Sequence, residues 1–443
     1  GKQLAVSAYR VGELMDMRND TGMEQASETY DNHYNPVFLL GSVSFCAYTA
    51  CYAGRSILSA IMPGMLKSNV YNKSDFGYMG SAYFFAYGAG QIINGLIGDK
   101  VKAKYMVSVG LFLASAIIFV FPFIDRAGIG IMLWGLCGLV LSMLWGPLTK
   151  VIAENTNARI GNLLLTALSA ASILGTMVAY LSATVSTVYR QWKLAFFITS
   201  AILLIASVTW YICLHFLEKK NALKDIKKES SHSKGNKELL KITMENAILP
   251  MIVVVMINGI IRNAVAFWIP TYISEKLGAS PTMATGITSV LPVVNLAGMF
   301  AGVFLLSKLK GNEYIVSIIM FVAATVMFMI LWMINGKLFV LSVICLFTAS
   351  AAMAGGCNLV FSSYCLRFRT TGRLSTVTGL LNFVSYASSA IASSVFVNSV
   401  SKTGWNSIVL MWTCMTFAGG IFAFLAFKKR IIFLTGFFQR GKG

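Results

Sequence analysis

The chain has 443 residues, 56% of them hydrophobic and only 12% charged, with a mean hydropathy of +0.70; soluble domains carry roughly 25% charged residues, so an integral membrane protein is expected. The formal net charge of +19 falls in short segments between apolar runs, where cations set membrane orientation, and nucleic acid is excluded as an expected partner. Long apolar runs without an alternating pattern call for helices, because in lipid every backbone polar group must be bonded internally; the expected fold class is an all-α membrane protein of twelve transmembrane helices in two six-helix halves.

In chain order, residues 1–35 are polar and carry Asp16, Asp20, Glu24, Glu28 and Asp31, so a tail rather than a cleavable leader is expected there. The first span, about 37–61, holds Arg55, with Tyr48 and Tyr52 at i−7 and i−3 on the same helix face. Their hydroxyls either bond a ligand or pack between helices. The second span, 76–98, carries Gln91 and leads to Lys100, Lys102 and Lys104; spans at 105–124, 129–152, 161–187 and 194–216 follow. The segment 217–245, rich in lysine, serine and glutamate, reads as a cytoplasmic linker. It divides an N-terminal six-helix bundle (36–216) from a C-terminal one (246–427), which ends in a basic tail (428–443).

The seventh span, 247–272, contains Asn258, Arg262 and Trp268, and further spans are expected at 282–307, 314–334, 338–364, 376–399 and 406–427. Trp268 reads as an interfacial anchor, while Asn258 and Gln91 either line a cavity or bond between helices. Basic clusters recur at Lys308 and Lys310, at Arg367, Arg369 and Arg373, and at Lys428, Lys429 and Arg430. With those after the second span and in the linker, all fall on one side if both termini are cytoplasmic. The plasma (inner) membrane is the expected location, with the endoplasmic reticulum membrane as the alternative.

An arginine at the centre of a spanning helix costs about 2.5–3.5 kcal/mol on insertion scales, and this chain carries two in matching places. "GRSILSAIMP" and "IRNAVAFWIP" each place a proline eight residues after the arginine, Pro63 after Arg55 and Pro270 after Arg262. That match points to an internal repeat, a plan that holds substrate near the midplane between the halves. Asp75, Asp99, Asp125, Glu154, Glu275 and Glu313 lie in loops or at span ends, and no acid lies deep inside a span. Two unpaired guanidiniums facing one cavity would be neutralised by a dianion gripped through forked hydrogen bonds. The implied ligand is inorganic phosphate or a phosphate ester.

Proton coupling normally needs a titratable group within the membrane, and His215 sits at a span end. Exchange of one anion for another is therefore favoured, since a site holding two bare cations would reorient reluctantly. The eight cysteines form no CxxC pair, which reads as packing rather than a metal site. No nucleophile–base pair, phosphate loop or metal-ligand spacing stands out, so neither enzyme activity nor a cofactor is expected.

With those residues placed, the sequence resembles the organophosphate:phosphate antiporters of the major facilitator superfamily, which include glycerol-3-phosphate, hexose-phosphate and glucose-6-phosphate transporters. The resemblance runs over nearly all of 36–427 and rests on five motifs in order. "YAGRSILSAIMP" and "IRNAVAFWIPTYI" are similar to the first- and seventh-helix motifs with their phosphate-binding arginines. "SDFGYMGSAYFFAYGAGQIINGLIGDK" resembles the second helix and following loop, "WGPLTK" the end of the fourth helix, and "TGLLNFVSYASSAIASS" the eleventh. The resemblance implies a cytoplasmic gate at Gly95, Asp99, Lys100 and Lys150. Two departures stand out: Gln91 takes the place of a second-helix lysine found in many bacterial members, and only serine or alanine near Ser172 meets the fifth-helix histidine of the glycerol-phosphate carriers. The expected function is alternating-access exchange of an organic phosphate for inorganic phosphate by a monomer. The alternatives are a carrier of another anion, such as a carboxylate, and a membrane sensor of sugar phosphates.

Overall fold

A computed structural model describes residues 36–98, 101–156, 158–223, 247–365 and 374–440. The expected tail at 1–35, the gate residues Asp99 and Lys100, the arginines 367, 369 and 373, and most of the linker lie outside the described residues. No strand occurs among those described.

Eleven helices there are long and apolar enough to cross a membrane: α1 (Pro36–Lys67), α3 (Ala103–Phe123), α4 (Ala127–Asn155), α5 (Leu163–Val188), α6 (Lys193–Lys219), α7 (Ile248–Glu275), α8 (Pro281–Lys308), α9 (Glu313–Ile334), α10 (Phe339–Leu359), α11 (Val377–Val400) and α12 (Lys402–Ile431). The expected second span is also helical, α2 (Lys73–Gly98), and is 26 residues long. Its glycines and tyrosines, with Gln91 and Asn94, dilute its hydropathy below that of the others. Such a helix suits the interior rather than the lipid, and α2 packs on α4 on one side and on α11 on the other. The last two helices form one run that turns at Gly404, where φ is 76°.

Small residues set the helix contacts, because lipid supplies no hydrophobic drive between helices and close backbone approach must do so instead. A Cβ at Gly298 would lie 2.1 Å from the Ala351 carbonyl oxygen, where α8 crosses α10. One at Gly175 would lie 2.2 Å from the Thr49 carbonyl oxygen, where α5 crosses α1. The eight cysteines are all free thiols, and Cys46 and Cys414 are exposed.

Hydrogen bonds between α1–α6 and α7–α12 gather at the end that carries Pro63 and Pro270. Ser59 donates to the Phe267 carbonyl at 2.7 Å, and Thr271 to Met62 Sδ at 3.0 Å. Ser81 donates to the Ala390 carbonyl at 2.6 Å, Ser393 to the Gly77 carbonyl at 3.2 Å, and Thr184 to Thr285 at 3.0 Å. Lys73 pairs with Glu275 at 2.7 Å. This end of the molecule is closed. Just outside it, Tyr71 donates to the Ile124 carbonyl, and burial, reinforced by Asp125 and Asp75, pushes its phenol up to about 12, so it stays a donor.

Candidate functional site

Arg55 leaves α1 below that closed end, among aromatic side chains. Its guanidinium carbon lies 5.3, 4.9 and 5.2 Å from the ring centroids of Tyr52, Tyr87 and Tyr386, within reach of the attraction between a cation and an aromatic face. Nη1 donates to the Tyr386 hydroxyl at 2.8 Å, and Nη2 to Asn263 Oδ1 at 3.1 Å. Both acceptors are uncharged and come from α11 and α7. None of the ion pairs among the described residues engages Arg55 or Arg262.

Arg262 sits where α7 departs from α-helical register. Residues Ile260–Val265 form a π-helical turn, a single-turn widening that is frequent at functional sites. Successive residues of a regular helix of 3.6 residues per turn diverge by about 100°, yet Arg262 and Asn263 both line the same cavity. Asn263 is held from behind, its Nδ2 donating to Ser389 Oγ at 3.1 Å, and Ser389 donating in turn to the Ser385 carbonyl at 2.6 Å. Arg262 Nε is buried with no hydrogen-bond partner. An unpartnered donor of this kind is costly to bury, and the residue that carries it lines the cavity.

The cavity, about 200 Å³, is bounded by residues of α1, α2, α4, α5, α7, α8 and α10. Its polar wall carries Arg55, Ser56, Ser59, Ser172, Thr176 and Arg262, and its apolar wall includes Phe84, Phe267 and Leu291. No carboxylate is among the residues that line it.

The sequence-predicted residues are divided by this arrangement. Arg55, Arg262 and Tyr52 line the cavity. Tyr48 is buried behind it, its ring 5.0 Å from that of Tyr52 and 5.3 Å from that of Trp145. Asn258 is an interhelix tie, with Nδ2 donating to the Met353 carbonyl at 2.9 Å. Gln91 accepts from Asn382 Nδ2, joining α2 to α11 away from the cavity wall. Gly95 lies on α2, and Lys150 lies near the end of α4, lining a separate cleft with Glu154 and Glu218. Trp268, expected at the membrane interface, is 1% exposed and packs against Phe267 and Trp405 instead; the closed end folds over it. Asn263, Tyr386, Tyr87 and Ser389 were not legible as site residues. Asn263 stands next to Arg262, and regular helical periodicity assigns it to another face.

A family model described as Major Facilitator Superfamily matches residues 44–393. The membrane sensor protein UhpC of Escherichia coli (strain K12) is 22% identical over 404 residues, 85% of this chain and 88% of that protein. The putative glycerol-3-phosphate transporter 5 of Arabidopsis thaliana is 20% identical over 453 residues, 88% of this chain and 90% of that one. The glycerol-3-phosphate transporter of Bacillus subtilis (strain 168) is 24% identical over 268 residues, 54% and 57% of the two chains. Among solved structures, a bacterial homolog of the human lysosomal transporter Spinster, inward-facing and occupied, matches with a TM-score of 0.69 at 11% identity, covering 90% of this chain and 97% of that one. That likeness speaks for the fold alone.

Proposed function

The chain belongs to the Major Facilitator Superfamily, and from that premise we propose that it is an alternating-access transporter exchanging an organic phosphate, such as a sugar phosphate or glycerol phosphate, for inorganic phosphate. It is a membrane transporter related to sugar-phosphate and glycerol-phosphate transporters, not an enzyme. The observation that carries the finer reading is the pairing of Arg55 and Arg262 on one cavity whose wall holds no carboxylate. Two fixed cations there favour a doubly charged oxyanion, which each guanidinium can grip through two parallel hydrogen bonds.

The same charge balance supports strict exchange. With an anion bound the site is nearly neutral and can pass through the occluded state; with both cations bare, their desolvation opposes it. The six-helix halves, 36–216 and 246–427, rock about this site. The anion enters from the end opposite Pro63 and Pro270, the cytoplasmic side by the excess of lysine and arginine in the sequence between those span ends, and Gly95, Asp99, Lys100 and Lys150 gate that entrance.

Proteoliposomes loaded with inorganic phosphate are expected to take up labelled phosphate and at least one phosphate ester by counterflow. Arg55→Ala and Arg262→Ala should each abolish uptake, and either Arg→Lys change, which keeps the charge and loses the fork, should lower it at least about tenfold. Uptake that survives both alanine changes would sink the proposal, and competition by carboxylates but not by phosphate esters would redirect it to another anion. A second reading, a membrane sensor, is favoured by the similarity to UhpC over 85% of the chain. Phosphate-ester binding with negligible flux is the outcome that selects it.

A further inference from the structure

The two arginines are not equally available to a ligand. Arg262 Nε is buried without a partner, whereas both terminal nitrogens of Arg55 are engaged by Tyr386 and Asn263. The Asn263 carboxamide is also not free to turn. Its nitrogen donates to Ser389 Oγ at 3.1 Å, and the Ser389 hydroxyl is committed to the Ser385 carbonyl at 2.6 Å. A hydroxyl that gives its proton to Ser385 has only lone pairs left for Asn263, so the amide nitrogen must face Ser389 and the oxygen must face Arg55. Asn263 thus presents an uncharged oxygen where one oxygen of a bound oxyanion would meet Arg55.

We infer that Asn263 is a positioning residue that stands in for the transported anion: it holds Arg55 between α1 and α7 while the site is unloaded, and it yields Arg55 to an oxyanion captured at Arg262. This rests on the reading of the cavity as a phosphate site. The anion meets Arg262 first, because Arg262 lines the cavity and, unlike Arg55, is engaged by no hydrogen bond or ion pair among the described residues. It then takes Arg55, because an anionic oxygen adds Coulomb attraction to the hydrogen bond, which the neutral Asn263 oxygen does not supply. Asn263 follows Arg262 directly in the π-helical turn, so the capturing residue and the competing one move as one body. After release, the carboxamide accepts from Arg55 again, and the guanidinium keeps an acceptor in both phases of the cycle.

The test is equilibrium binding of labelled inorganic phosphate to the full chain in nanodiscs, read for variants whose effects should have opposite signs. Asn263→Ala removes the competitor and should tighten phosphate binding about tenfold or more, as the loss of one competing hydrogen bond to a charged group would. Asn263→Asp puts a carboxylate against Arg55 and should weaken binding at least about tenfold. Ser389→Ala, which frees the amide to turn, should tighten binding in the same direction as Asn263→Ala but by less, and it serves if Asn263→Ala does not fold. A purely structural Asn263 would weaken binding in every variant, and that result overturns the inference. So does additivity of Arg55→Ala and Asn263→Ala in a thermal-unfolding double-mutant cycle without phosphate, because a real bridge makes the pair non-additive. Failure of the wild-type chain to bind phosphate, with that coupling present, instead overturns the reading of the site.

Discussion

Single side chains separate binding from packing in this cavity in a way that residue type does not. Arg55 and Arg262 were legible because an uncompensated cation in an apolar run is expensive and because the proline eight residues on repeats in both halves. Asn258 shows the limit: a polar residue four positions before Arg262 has the right spacing for the same helix face, yet it spends its amide on the Met353 carbonyl at 2.9 Å. Asn258→Leu should therefore act on stability and not on recognition. A buried hydrogen bond lost with its acceptor left unsatisfied costs about 1–3 kcal/mol, so the melting temperature in detergent should fall while the phosphate affinity of the folded protein stays within about twofold. A loss of affinity tenfold or larger would return Asn258 to the binding site. The aromatic box around Arg55 was half legible, since Tyr52 lies one turn away on the same helix, whereas Tyr87 and Tyr386 arrive from α2 and α11 through tertiary packing that no local pattern encodes.

The expected spans fall on helices because the length of an apolar run and the thickness of the hydrocarbon core constrain each other directly. What the runs did not disclose is the change of register inside them. The π-helical turn at Ile260–Val265 inserts between two α-helical stretches of one apolar segment, and a hydrophobicity pattern reads the same on either side. Close crossings are similarly silent, since a glycine in a span looks alike whether it faces lipid or a backbone. At Gly298 the facing backbone leaves no room, because an added Cβ would fall 2.1 Å from the Ala351 oxygen, with neighbouring backbone atoms at 2.5 and 2.8 Å. Gly298→Ala should force α8 away from α10 and reduce the yield of folded protein sharply. Gly286→Ala on the same helix, where a Cβ would meet nothing within 4 Å, should express normally; equal yields would show that the α8–α10 crossing is not set by close approach.

For the molecule as a whole, a carrier works only if its alternative arrangements differ by a few kcal/mol, so the closed end must be held by many weak ties rather than one strong one. Glu275 is the charged member of that set: one of its oxygens accepts from Lys73 at 2.7 Å and from the Trp405 indole at 2.9 Å, joining α2, α7 and the start of α12 beside the Gly404 bend. The Lys73 and Glu275 side chains are 36% and 27% exposed, and a solvent-accessible ion pair contributes only about 0–1 kcal/mol. Glu275→Gln keeps the size and an acceptor for Trp405 while removing the charge that meets Lys73. It should shift the balance toward opening at this end by no more than about fivefold, a factor that follows from about 1 kcal/mol. Spin labels at Lys67 and Ser280, two exposed positions flanking the cleft beside Glu275, would read that shift as growth of a longer-distance population once exposed Cys46 and Cys414 are replaced. A wholly opened end would make Glu275 the dominant lock, and no change at high or low salt would mean that the uncharged ties at Ser59, Ser81, Thr184 and Thr271 hold the end by themselves.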